Sequence, residues 1–368
     1  MGLLNYRNYG RFWRVYGRSL ARYGSARKIT NALRTEYAYR RRLSDVQSAP
    51  YILFLEPLYY CNLDCPLCDR QLFPDAREGD AGRLTLELYD RILDEVGDYL
   101  FQCQIFGQGE PLLDWQLTRQ IVERTHRRRI FTLISTNCTL IRPDIAEELV
   151  TCGLDHLVCA IDGISQASYE TYRVGGKVAD ALAGLERILE AKRKHPSNTY
   201  VEWQFLLHAH NAHEADAAKA LAKKLGVYIR FAPLRGMEWD APLEDYWLEK
   251  GPDGKPLDRQ TKMPRYDWPC YFLWRSLVLN SNGKVARCLV YQNVAQYADL
   301  NQMSVMAAYN HPSVQRARQL FSSGPVPAGE FPAPCTNCAH YARHHGGAYA
   351  GKREAVSLPI FDPAAKPE

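Results

Sequence analysis

CNLDCPLC, residues 61–68, decides how the rest of this chain is read. It places Cys61, Cys65 and Cys68 in one short stretch, directly after the apolar run YILFLEPL (51–58). Three thiols are too few for a closed tetrahedral metal site and an odd number for disulfides. Three thiolates on a cubane iron–sulfur cluster would leave one iron without a protein ligand, open to a small molecule. The alternative is a zinc site whose fourth ligand lies elsewhere in the chain.

Downstream of this stretch, apolar runs of strand length alternate with segments of helical period. FQCQIFG (101–107), IFTLIST (130–136), HLVCAIDG (156–163), YVEWQFLLHAHN (200–211) and VYIRFAPL (227–234) read as strands. Residues 84–100, 114–128, 142–153, 179–195 and 214–226 read as helices, two of them closed by a glycine. Six Val-, Ile-, Leu- and Phe-rich strands with helical connections predict parallel βα units, forming an open sheet or part of a barrel. Sites in such folds lie at the carboxyl ends of the strands. The chemistry-bearing residues follow that rule: CNLDCPLC comes after the first strand, GQGEP (107–111) after the second, TNC (136–138) after the third and DG (162–163) after the fourth.

Eleven cysteines, the lack of a secretory signal pattern and the lack of any run of roughly 18 apolar residues predict a cytoplasmic protein without a membrane span. In a reducing compartment the thiols read as metal ligands, reactive groups or core residues. The net charge of +5 is uneven: residues 1–50 contribute +9 and the remainder −4. The basic segment interleaves Arg with Tyr, Phe and Trp. It reads as an amphipathic arm that lays Tyr6, Phe12, Trp13, Tyr16 and Leu20 on the protein with Arg outward; nucleic-acid or anionic-membrane binding is the competing reading, and an organellar transit peptide ranks below both. Residues 236–269 are rich in Pro, Gly, Asp and aromatics and read as a linker or lid; Glu238, Asp240, Asp245 and Trp247 there are a candidate part of a substrate pocket. SLVLNSNGKVARCLV (276–290) reads as a hairpin turning at Asn282-Gly283. Cys270, Cys288, Cys335 and Cys338 could together close a four-thiolate site, of zinc or of iron–sulfur type.

The ordered set of motifs resembles the radical S-adenosylmethionine (SAM) superfamily, over roughly residues 50–340. CNLDCPLC resembles its cysteine signature, with Leu67 where many members carry an aromatic. GQGEP resembles its Gly-Gly-Glu-Pro motif with Gln108 added or substituted, and STNCT (135–139) resembles Thr-Asn-Gly with Cys138 in place of Gly. IDG followed by YETYRVGGK (169–177), and PCYFLWRSLVLNSNGKVARC (269–288), resemble the branch with a C-terminal SPASM or twitch domain. Four C-terminal cysteines suffice for one auxiliary cluster, which is similar to the twitch type of aminocyclitol dehydrogenases and sugar or aminoglycoside epimerases.

The resemblance implies an α/β fold: a partial (β/α)6 barrel over 50–235, a linker at 236–268, a small α+β twitch-like domain at 269–342 and a tail at 343–368, preceded by a basic helical arm at 1–49. It implies a 4Fe-4S cluster on Cys61, Cys65 and Cys68 whose open iron takes SAM, and a second 4Fe-4S cluster on Cys270, Cys288, Cys335 and Cys338. Reductive cleavage of SAM would give a 5′-deoxyadenosyl radical that abstracts hydrogen from substrate. Gly107, Gln108, Gly109 and Glu110 would hold the methionine amino end and Arg173 its carboxylate. Asp162 would lie near the ribose, although Ala160 stands where a serine is usual, and Gln204 is a further candidate contact. Cys103, Cys152 and Cys159 read as core residues, whereas Cys138 is a candidate hydrogen donor to a substrate radical. His208, His210 and His213 flank the end of the fifth strand, where solvated loop residues are the simpler reading. The expected substrate is a small polar molecule of sugar or aminocyclitol type, epimerised or dehydrogenated, with a flavodoxin or ferredoxin as electron donor. The alternative is a peptide-modifying enzyme; a zinc-stabilised nucleic-acid-binding protein does not explain the motifs after four strands.

Overall fold

A computed structural model of the protein describes residues 17–73, 82–234, 269–322, 335–337, 341, 344 and 345. Its frame is one sheet of nine strands in the order β6-β5-β4-β3-β2-β1-β7-β8-β9. The first six, β1 (Ile52–Leu55), β2 (Gln102–Ile105), β3 (Phe131–Thr136), β4 (His156–Ala160), β5 (Tyr200–Leu207) and β6 (Tyr228–Pro233), are parallel neighbours in chain order. β6 and β9 lie at opposite ends of the strand order, so the barrel is partial and not closed.

Period-two alternation sends each strand's residues to two different layers. Leu53 and Leu55, Leu157 and Cys159, and Val201, Trp203, Phe205 and Leu207 join the main core beneath the helices. Their alternates face the other side. Ile52 and Phe54 pack there with Val278 and Ala286, and Leu133 with Val158. On that same face β5 and β6 carry Glu202, Gln204 and Arg230, where a purely structural sheet would carry aliphatics. Trp203 is wholly buried, and truncating such a side chain to alanine costs about 3–5 kcal/mol.

The helices start where a side chain can satisfy their orphaned N–H groups. Thr85 caps Leu86–Val96 through Leu88 N, Asp114 caps Trp115–Arg127 through Leu117 N, and Ser165 caps Gln166–Tyr172 through Ser168 N. The last of these helices overlaps the start of the YETYRVGGK run, which sequence periodicity left unassigned. The expected hairpin forms between β7 (Ser276–Leu279) and β8 (Lys284–Ala286), with Gly283 at φ +85°, a conformation that favours glycine. A third strand, β9 (Gln296–Asp299), extends it. β7 also pairs in parallel with β1, so the hairpin continues the main sheet.

The described part of the N-terminal arm is helical, over Arg18–Tyr23 and Ala26–Arg40, and it closes the amino ends of the strands. The Tyr23 hydroxyl donates to Asp155 just before β4 (2.8 Å), and Asn31 exchanges two hydrogen bonds with Ala49 (both 2.9 Å). The Glu36 carboxylate receives a fork from Arg275 (2.6 and 2.7 Å) and the Tyr51 hydroxyl (2.7 Å). The expectation that Leu20 lies on the protein is corrected: it is 49 % exposed, and Ser19 and Tyr23 take the buried positions of that turn. Tyr6, Phe12, Trp13 and Tyr16 lie outside the described residues, as do the 236–268 linker with Glu238, Asp240, Asp245 and Trp247, and Cys338.

Candidate SAM and iron–sulfur site

The loop after β1 folds back on itself so that Cys61, Cys65 and Cys68 join one small cluster with Leu63, Leu67, Tyr172 and Leu206. Cys68 starts the single turn Asp69–Leu72, and Cys68 N donates to Cys65 O (3.0 Å). Burial pushes the Cys61 and Cys68 thiols up to about 11. Arg70 reaches Leu63 O (2.6 Å) and Asp64 (2.7 Å) with its Nη2, while its buried Nε has no partner among the described residues. Among those residues no three His, Cys, Asp or Glu side chains converge tightly enough to hold a single metal ion. A cubane draws its thiolates from different irons and so from a wider set of positions than one zinc does. Three free thiols on one loop, with an unpartnered guanidinium N–H beside them, fit that group.

The loop after β2 is locked against the cysteine loop by backbone contact. Glu110 N donates to Tyr60 O (2.8 Å), and a Cβ on Gly109 would stand 1.9 Å from Leu58 O, which is why that position is glycine. The Glu110 carboxylate is buried and accepts from Leu112 N (3.1 Å), the Thr136 hydroxyl (2.7 Å) and Asn137 N (2.9 Å). Three of its roughly four acceptor directions are thereby used, so the glutamate ties the loop after β2 to β3. Burial raises its pKa and these donors oppose the rise. Gln108 turns its side chain to Cys68, with Oε1 3.1 Å from Sγ.

Asp162 and Arg173 meet each other. The guanidinium reaches Asp162 Oδ2 through Nε (2.7 Å) and Nη2 (2.5 Å), and its Nη1 lies 3.6 Å from Cys65 Sγ. Asp162 is fully buried and also accepts from Leu206 N (2.6 Å). Burial raises its pKa, against the pull of Arg173. Burial would lower the Arg173 pKa, but Asp162 and Cys65 outweigh it and hold the side chain charged. Gln204 accepts from Arg230, which also pairs with Glu202 (2.5 Å).

Cys138 sits at φ +66°, the left-handed conformation that explains a glycine in the related motif. Its thiol is fully buried in the main core, with its ionisation pushed up by burial and by Cys159, and Cys103 and Cys159 are equally buried. As placed, the Cys138 thiol has no surface open to solvent. Cys270 and Cys335 pack against one core cluster with Tyr39 and Trp274, whereas Cys288 packs against another with Phe73 and Tyr291. His208 is fully buried against Tyr172, not solvated.

Glu56 went unmarked in the sequence. It ends the apolar run ILFLE, is 1 % exposed, and accepts from Gln108 N (3.0 Å), Gln292 Nε2 (3.0 Å), Ser281 N (3.2 Å) and the Ser281 hydroxyl (2.9 Å). A lone carboxylate closing an apolar strand was the available signal. Asn62 was also missed; it bonds Asn137 and Thr139 (2.9 Å each) and ties the cysteine loop to the loop after β3.

Three thiols and a buried Arg–Asp pair thus gather at the carboxyl ends of the parallel strands. Residues 55–201 match the family described as the Radical SAM superfamily. The chain is 28 % identical to an AdoMet-dependent heme synthase of Methanosarcina barkeri, over 49 % of this chain and 49 % of that protein. It thus spans about half the length of that relative. It is 26 % identical to a PqqA peptide cyclase of Gluconobacter oxydans over 82 % of this chain and 86 % of the relative. Among solved structures, Streptococcus suis SuiB superposes with a TM-score of 0.54 at 13 % identity, over 87 % of this chain and 77 % of its own. The AdoMet-bound anSMEcpe gives 0.52 at 17 %, over 82 % and 89 %. At these identities the two structures share the fold. No helix among the described residues is long and apolar enough to cross a membrane.

Proposed function

We propose that this radical SAM enzyme holds a 4Fe-4S cluster on Cys61, Cys65 and Cys68 and acts on a small polar substrate by hydrogen abstraction. The observation that carries the reading is the gathering of these thiols with Asp162–Arg173 at one end of the sheet. The bound cluster and SAM supply a 5′-deoxyadenosyl radical when an external one-electron donor of flavodoxin or ferredoxin type reduces the cluster. The residues of the chain bind and orient. Glu110 offers its remaining acceptor direction to the methionine ammonium beside Gly107 and Gly109. Arg173 is charged and poised to turn from Asp162 toward a carboxylate, for which its planar fork suits. Asp162, fixed by Leu206 N, then faces the ribose, and Gln204 reaches the same wall.

Cys270, Cys288 and Cys335 are assigned, with Cys338, to a second 4Fe-4S cluster in a twitch- or SPASM-like segment from 269 onward. One feature supports a small polar substrate. The sheet face opposite the main core carries Gln104, Glu202, Gln204 and Arg230. Epimerisation and dehydrogenation are the two outcomes, and solvent deuterium entering product carbon would mark the first. Peptide modification is the second reading, favoured by the length over which the PqqA peptide cyclase aligns.

The test is anaerobic reconstitution followed by iron and sulfide analysis and detection of 5′-deoxyadenosine after adding SAM and a reductant. About eight irons and 5′-deoxyadenosine are expected; zinc without iron would sink the reading. Dialysable metabolites, added separately from a peptide pool, should raise 5′-deoxyadenosine. A rise with peptides alone would transfer the assignment to the second reading.

A further inference from the structure

Gln108 stands where the related motif has only glycine, and its side chain is aimed at a cluster ligand. Its Oε1 lies 3.1 Å from Cys68 Sγ, which suits a protonated thiol as donor. An iron-bound sulfur is deprotonated and can only accept. A half turn of the carboxamide places Nε2–H on the same sulfur with no other movement, since the two ends of an amide are nearly the same shape.

The backbone under Gln108 cannot drift. Its N–H is held by Glu56 Oε1 (3.0 Å), and Glu56 is itself fixed by Gln292 and Ser281. On either side the chain is pinned: a Cβ on Gly107 would stand 2.7 Å from Glu56 Cβ, and one on Gly109 would meet Leu58 O. Cys65 has a comparable donor in Arg173 Nη1 at 3.6 Å, but that guanidinium is shared with Asp162. Among the described residues the Gln108 carboxamide contacts only Cys68 Sγ, so its amide is committed to that sulfur.

We propose that Gln108 is a positioning residue whose side-chain amide hydrogen-bonds the Cys68 sulfur and raises the reduction potential of the SAM-binding cluster, with Glu56 holding it in place. The inference rests on the cluster assignment made above. Its physical basis is that N–H donors to cluster sulfurs stabilise the more negative, reduced state.

The test is an EPR-monitored redox titration of the reconstituted full chain and of Gln108→Leu and Gln108→Met, following the reduced signal that changes on adding SAM. Iron and sulfide per chain and the thermal transition check that the variants hold their clusters and fold. At a fixed potential both variants should show a reduced-to-oxidised ratio about tenfold lower, a midpoint about 59 mV lower for a one-electron couple. Unchanged midpoints overturn the inference and leave the function standing. Loss of the cluster in both variants would also overturn it, since Gln108 would then hold the loop and not tune the sulfur. Should only one variant lose its cluster, the other decides by the same criterion. No SAM-sensitive signal in the unaltered protein would instead remove the functional reading itself.

Discussion

Cys61, Cys65 and Cys68 share one loop and one small apolar cluster with Leu63 and Tyr172, whereas Cys270 and Cys335 pack beside Tyr39 and Trp274 and Cys288 packs beside Tyr291. The first group is assembled by local chain geometry at the mouth of a parallel sheet. The second draws on segments far apart in sequence and depends on tertiary packing to meet. Local assembly predicts that the first group fails as a unit when one member is lost. Distributed assembly predicts that the second can be removed with the barrel intact.

The largest expected effect is at the first group. Cys65→Ala should abolish 5′-deoxyadenosine formation and remove about half the iron, read by product chromatography and iron analysis. Next, replacing Cys270, Cys288 and Cys335 together by alanine should lower iron from about eight to about four per chain while SAM cleavage persists. Loss of all iron in that variant would break the contrast, because the two regions would then assemble as one.

The Asp162–Arg173 pair, which touches the first group through Cys65, offers a stability test. Arg173→Met leaves a buried carboxylate without its cation and should cost about 3–5 kcal/mol in urea unfolding of the cluster-free protein. Arg173→Lys should recover part of the stability but little SAM binding, since an ammonium cannot fork.

The smallest effect is a pH dependence. Burial, with His210 and Arg173 nearby, pushes the His208 imidazole down to about 4. The unfolded chain therefore binds more protons than the folded one between about 4 and the ordinary histidine value of 6.5. Stability from this group is full above the upper limit and is lost as pH falls through that window. His208→Gln should flatten the stability–pH curve there by at most about 3 kcal/mol, measured by urea unfolding at both ends of the window.

The parts of this structure legible in the sequence are those with short-range causes. The parallel strands showed as apolar runs between amphipathic helices, and the hairpin showed as Asn282-Gly283, whose glycine takes φ +85°. The cysteine loop showed because its three thiols sit within the short stretch 61–68. What was not legible depends on partners distant in sequence. That β7 pairs with β1 follows from packing across more than 200 residues, and nothing in SLVL names that neighbour. Glu56 looks like the polar end of a strand until Ser281 and Gln292 arrive to satisfy it. Arg173 and Asp162 were both singled out, yet for separate duties; only the fold brings the guanidinium onto the carboxylate. Leu20 followed its helical period, but the buried face of that helix is set by Asp155 and Phe101, which recruit Tyr23 and Ser19.

The central claim is that the three-thiol loop leaves one iron free for SAM. Its most direct test is electron–nuclear double resonance on the reduced Cys270, Cys288 and Cys335 triple-alanine protein, with SAM carrying ¹⁵N at its amino group. A ¹⁵N hyperfine coupling to the cluster, replaced by a ¹⁴N coupling when unlabelled SAM is used, is the result predicted. A cluster that forms and reduces but shows no coupling to the bound methionine would contradict it.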